Sequence, residues 1–89
     1  MLKKRAIEQI IKSFANHRRI EMLDLLNENP ELSVSQIATE LKIDIKLASF
    51  YLRKLTIAGL IMKKSSEKSI KHKLSKRGEF VQTFVRTLE

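Results

Sequence analysis

The chain has 89 residues, 43% of them hydrophobic and 31% charged, and 18 Lys and Arg against 10 Asp and Glu leave a formal net charge of +8. That length fits one small domain and excludes a multidomain enzyme, while the apolar content excludes a disordered tail. The absence of Cys excludes disulfides and thiolate metal sites, and no run approaches the ~20 apolar residues of a transmembrane helix, so the expected setting is the cytoplasm, with no membrane partner.

In chain order, Ile7, Ile10, Ile11 and Phe14 recur at helical spacing and predict an amphipathic first helix over Leu2 to Ala15. Its basic start resembles that of a signal peptide, but Glu8, Gln9 and Lys12 interrupt the apolar run such a segment needs. Asn16 is placed to cap a second helix from His17 to about Glu28, marked by Ile20, Leu23 and Leu26 and ended by Asn29 and Pro30. A third helix begins near Ser33, with Gln36 in capping-box relation and Val34, Ile37, Ala38 and Leu41 on its apolar side.

Ile43 and Asp44 form a short turn, and Asp44 caps a fourth helix from Ile45 to Ala58, closed by Gly59 where a left-handed residue is needed. Beyond Gly59 the period changes. Leu60 to Lys64 and Ser69 to Ser75 read as two strands around a polar tip, with Ile70, His72 and Leu74 alternating against Lys71 and Lys73. Phe80, Val81, Phe84, Val85 and Leu88 mark a last helix from about Lys76. The fold class is therefore mainly α with a small β-hairpin, in the order α-α-α-α-β-β-α. That is a single winged helix-turn-helix domain over residues 1–89, with the helix-turn-helix at about 33–58, the wing at about 60–75 and terminal helices at 2–15 and 76–88.

The charge is segregated along this order. Eleven of the 18 basic residues lie between Lys42 and Arg77, whereas Ile20 to Leu41 holds none. A solubility charge would be spread with mixed signs; a charge gathered on the fourth helix and wing points to a polyanion, through attraction to phosphates and release of their counterions. The competing reading is a solvated lysine-rich surface.

Three stretches carry a family resemblance: ANHRRIEMLDLL (Ala15 to Leu26), ELSVSQIATELKI (Glu31 to Ile43) and LASFYLRKLTIAGLI (Leu47 to Ile61). With the closing pattern L-x-x-L-x-x-A-G-L-I, the sequence resembles the ArsR/SmtB-type transcriptional repressors over most of its length. The resemblance implies a homodimer whose first and last helices pack together, each chain offering its fourth helix to a half-site of a palindromic operator. Many members sense metal through a Cys-x-Cys pair in the third helix. Here Ser33 and Ser35 stand at those positions, and the last helix contains no His or Asp, so neither a metal nor any other cofactor is expected.

Setting Ala48, Leu52 and Leu55 as the core side of the fourth helix puts Lys46, Phe50, Arg53 and Ile57 on the opposite face, with Ser49 and Lys54 at its margins. On the double-stranded DNA reading, Lys46, Ser49, Phe50 and Arg53 face base edges, while Lys42, Lys54 and the wing residues Lys63, Lys64, Lys68, Lys71 and Lys73 hold phosphates. Phe50 meets a thymine methyl or wedges against bases; alternatively it joins Ile45, Leu47 and Ile57 in a protein-docking patch. Ile7, Ile10, Ile11 and Phe14, with Phe80, Phe84, Val85 and Leu88, are candidates for a dimer interface and equally for the core. His72 is expected to pack under the wing, and His17 to be solvated. RNA binding is disfavoured by 6% aromatic content. An enzyme is not expected, since two glycines make no phosphate loop and no nucleophile stands beside a recognisable base.

Overall fold

Four of the five helices start where a short polar side chain supplies the acceptor that the first turn lacks. In the computed structural model, which describes residues 1–89, α1 is Lys4–Phe14, α2 His17–Glu28, α3 Val34–Leu41, α4 Ile45–Ile57 and α5 Lys76–Arg86, with β1 Ile61–Ser65 and β2 Ile70–Leu74 between the last two. Asn16 accepts from the amides of Arg18 and Arg19, Asp44 from that of Lys46, and Ser75 from that of Gly78. Ser33 and Gln36 form the full capping box, each side chain accepting from the other's backbone amide. The exception is α1. Lys3 precedes it with no capping hydrogen bond, and the helix begins at Lys4, later than the apolar pattern alone suggests.

The turn between α3 and α4 closes on Lys42, whose φ of 56° and ψ of 46° are left-handed, and its amide reaches back to the carbonyls of Ala38 and Thr39. A side chain with a Cβ is strained there, by roughly 1–2 kcal/mol. Lys42→Gly is accordingly expected to raise stability by up to about 1 kcal/mol, a gain of roughly 4–8 °C in melting temperature for a domain of this size. Thermal unfolding followed by circular dichroism checks it.

The core is one cluster. Met22, Leu23 and Leu26 of α2 meet Ile37 and Ala38 of α3, Ala48, Leu52 and Leu55 of α4, and Leu60, Ile61 and Leu74 at the wing's root. Val81 and Val85 close it from α5. Val85 is thus a correction to the expected dimer interface: at 8% exposure it is covered within its own protomer. Positions 78, 81, 82 and 85 make the inward stripe of α5, which leaves Phe80 and Phe84 to face out.

Arg19 fastens α1 to this body. It donates to the carbonyls of Ser13 at 2.8 Å and Lys12 at 3.4 Å, and its guanidinium lies 5.2 Å from the centre of the Tyr51 ring on α4. A second polar tie, Gln82 to Asp24 at 3.3 Å, joins α5 to α2.

β1 and β2 are antiparallel, in a register running from Ile61 opposite Leu74 to Ser65 opposite Ile70. Leu60, expected in the first strand, belongs instead to the turn: its amide donates to Leu55 and its carbonyl accepts from Ser75. A single rung extends the sheet beyond β2. Leu32, just before α3, pairs with His72, through Glu31 N to His72 O at 2.9 Å and His72 N to Leu32 O at 2.8 Å. The wing is thereby pinned to the start of the helix-turn-helix.

Candidate nucleic-acid interface

Packing Ala48, Leu52 and Leu55 inward leaves the other side of α4 open, and Lys46, Ser49, Phe50 and Arg53 are all exposed along it. Their spacing of three, four and seven residues puts them on one stripe. Phe50 is 48% exposed, and the Lys54 ammonium lies 5.2 Å from its ring centre, so one cation stands over the aromatic face. Lys42 is exposed in the turn that leads into this helix.

The wing's register sorts its lysines into two sets. Residues opposite each other share a face and successive pairs alternate, so Lys63 lies with His72 on one face, while Lys64, Lys71 and Lys73 lie on the other. Lys63 lines a groove of about 420 Å³ with Ser33, the cap of α3, Ser35 within α3, Ser49 and Arg53 of α4, and His72. The outer set stands elsewhere. Lys64 pairs with Glu31 at 3.6 Å, and Lys73 lines a separate groove beside Glu31 and Glu79. Lys68 is exposed at the tip, where Ser66 closes the turn onto the Ser69 carbonyl. The basic residues therefore divide into a ridge on α4 and the inner wing, and a second group round the outside of the wing.

His72 is 5% exposed. Its Nδ1 lies 3.1 Å from the Leu32 carbonyl, which only accepts, so the neutral ring carries its proton on Nδ1. Burial holds this imidazole below its ordinary pKa of 6.5; the hydrogen bond to Leu32 opposes the shift and the Lys63 charge adds to it. A group neutral in the fold and more easily protonated in the unfolded chain costs stability as pH falls from the unfolded value through the lower folded one. Denaturant midpoints should thus decline below about pH 6.5 in the free protein, and less so in His72→Asn.

Away from α4, α1 and α5 leave an apolar groove of about 450 Å³ between them. Ile7, Ile10, Ile11, Phe14, Phe80 and Phe84 all line it, Ile10 and Phe14 also touching the core, whereas Leu88 is exposed beyond the end of α5 and is not part of the lining. The positions of the familiar cysteine pair are Ser33 and Ser35. Ser33 is occupied as the cap of α3, and no three His, Asp or Glu side chains converge anywhere in the chain, so these residues do not fit that metal centre.

The model of the family described as bacterial regulatory proteins of the arsR family matches residues 16–63, just over half of the chain. The chain belongs to the arsR family. Its fold agrees closely with solved structures. The homodimeric winged helix-turn-helix DNA-binding domain of Mb0332 from Mycobacterium bovis, a possible ArsR-family transcriptional regulator, is 25% identical, with 94% of this chain and 78% of that one covered and a TM-score of 0.86. Reduced HlyU from Vibrio cholerae is 25% identical over 94% of this chain and 88% of that one, with a TM-score of 0.81. Streptococcus pneumoniae FabT, solved in complex with DNA, shares the fold at 16% identity, with a TM-score of 0.74 over 94% of this chain and 65% of that one. No curated protein matches the chain. This arsR-family member is a transcription regulator built on a DNA-binding winged helix-turn-helix, and none of its helices is long and apolar enough to cross a membrane.

Proposed function

We propose that the protein is a cytoplasmic, homodimeric repressor that binds a palindromic duplex operator and competes with transcription by occupying it. The observation that carries the reading is the exposed stripe of Lys46, Ser49, Phe50 and Arg53 on α4, continued by Lys63 on the inner wing. In this reading the stripe enters the major groove, where Lys46, Ser49 and Phe50 contact base edges, and Arg53 joins Lys42, Lys54, Lys63 and Lys68 in holding phosphates on either side. Lys64, Lys71 and Lys73 add to the field around the wing from its outer face.

The apolar groove between α1 and α5 supports the dimer, since exposed Ile7, Ile11, Phe80 and Phe84 form a patch that a second copy would cover. The homodimeric Mycobacterium bovis domain supports the same arrangement. Phe84→Glu is expected to convert the protein to a monomer of 10.4 kDa in light scattering, with its circular dichroism unchanged. It should also weaken operator binding by at least about tenfold, because one half-site contact is lost.

Selection of bound duplexes from a random pool tests the whole reading, and recovery of an inverted repeat with half-sites about 10 base pairs apart, or a multiple of that, is the expected result. A protein making about 6–10 phosphate contacts should lose roughly 10³–10⁵ in affinity between about 50 and 200 mM salt. A flat salt response overturns the proposal.

A second reading has one observation in its favour. Ile45, Leu47, Phe50 and Ile57 are exposed on α4, Ile57 at 79%, which suits a protein partner. Phe50→Ala separates the two: loss of a protein partner with duplex binding untouched supports the docking module, and loss of duplex binding supports the repressor.

A further inference from the structure

The groove between α3, α4 and the wing holds an imbalance that the protein itself does not correct. Arg53 and Lys63 both line it, neither has an ion-pair partner, and no Asp or Glu is among the lining residues. Four serines supply further hydrogen-bond donors, Ser33, Ser35 and Ser49 among them. Lys64, one residue from Lys63 but on the other face, already has Glu31. His72 lines the same groove, buried, with Nδ1 on the Leu32 carbonyl and no partner within the chain for Nε2.

Resting on the DNA-binding reading above, we infer that this groove seats one backbone phosphate of the duplex between Arg53 and Lys63, and that His72 takes up a proton when the phosphate is seated. In the free protein, protonating Nε2 would add a third positive charge to a groove already lined by Lys63 and Arg53. A phosphodiester reverses that balance. Its charge offsets Lys63 and Arg53, and its oxygens accept from a protonated Nε2. The other charged groups near β2 do not supply this anion: Glu31 is held by Lys64, Glu79 of α5 lies beside Lys73, and both are on the far side of the wing. α2 lines that outer groove with Leu26 and Asn27, which carry no charge, and the first turn of α3 holds no acidic residue.

The sign follows by linkage. Binding that takes up a proton tightens as pH falls, by at most about tenfold per pH unit for one proton, between the pKa of His72 in the complex and its lower value in the free protein. The test is fluorescence anisotropy with a labelled mixed-sequence duplex, from about pH 8 to pH 5.5 at constant ionic strength. Wild type should bind several-fold more tightly at the acidic end than His72→Asn, whose amide nitrogen stands where Nδ1 stood and keeps the donor to Leu32. His17, exposed at the start of α2, contributes equally to both proteins. Imidazole ¹⁵N spectra of the wild type give an answer independent of how the variant folds, since Nε2 of His72 should be unprotonated in the free protein and protonated in the complex at the same mildly acidic pH. Equal pH slopes for wild type and variant, or an Nε2 in the same state free and bound, overturn the inference and leave the DNA reading standing. Failure to bind the duplex at any pH overturns both.

Discussion

Replacing Arg53 and Lys63 together with alanine is expected to weaken duplex binding by about 10²- to 10⁴-fold for each half-site engaged, near physiological salt. Each is a cation with no partner in the protein, in a groove that opens beside the exposed stripe of α4. Hydrogen bonds to charged groups contribute roughly 1.5–3 kcal/mol each, so losing two removes about 3–6 kcal/mol from each half-site. The counterion count gives an independent reading: removing two phosphate contacts from each protomer, four per dimer, should flatten the slope of log affinity against log salt by roughly 3.6. Both residues are exposed and neither belongs to the core, so the unfolding midpoint should stay within about 0.5 kcal/mol of wild type. The outer lysines are the control. Lys64→Ala with Lys73→Ala removes the same charge from a face where Glu31 and Glu79 already stand, and should cost only a few-fold. Equal losses from the two pairs would show that the protein uses a diffuse field and no defined seat.

That contrast between Lys63 and Lys64 marks where reading the sequence stops. The elements themselves were legible because their signals are local: Ser33 with Gln36, Asp44 before α4, and Gly59 at a φ of 79° each act on their own turn. The stripe on α4 was legible too, since one helix with three core positions determines its own opposite face. The two faces of the wing were not, because alternation gives the sets but only the register and the neighbours say which set meets α4. The Leu32 rung lies beyond pattern for the same reason: a single residue has no period, yet it is what seats the His72 ring. Val85 shows the converse limit. An apolar stripe on a terminal helix is wide enough to serve a core and an interface at once, and only packing divides Val81 and Val85 from Phe80 and Phe84.

Gly78, which no sequence pattern singles out, should be the position least tolerant of a methyl group. It lies in the first turn of α5, its amide on the Ser75 hydroxyl, where the helix meets the backbone at the root of the wing. A Cβ built there would stand 2.0 Å from the Leu60 carbonyl oxygen and 3.0 Å from its carbon. Those are main-chain atoms, so no rotamer change relieves the contact; α5 or the turn into β1 has to shift. Helix propensity pulls the other way, since alanine is favoured over glycine by about 1 kcal/mol inside a helix. Overpacking against backbone outweighs that, and Gly78→Ala is expected to lose about 3 kcal/mol or more, a large share of the 5–15 kcal/mol typical of a domain. Gly59→Ala is the milder comparison: its Cβ would meet Arg77 Nη1 at 2.9 Å, the end of a flexible side chain, so its cost is mainly the positive φ, about 1–2 kcal/mol. Urea unfolding of both variants ranks them, and a neutral or stabilising Gly78→Ala would mean that α5 does not dock as closely as described. The consequence reaches function, because Leu60 leads into the wing and α5 carries Phe80 and Phe84. A displaced α5 should weaken self-association and shift Lys63 relative to Arg53 together, so that Gly78→Ala loses the dimer and the duplex in one step.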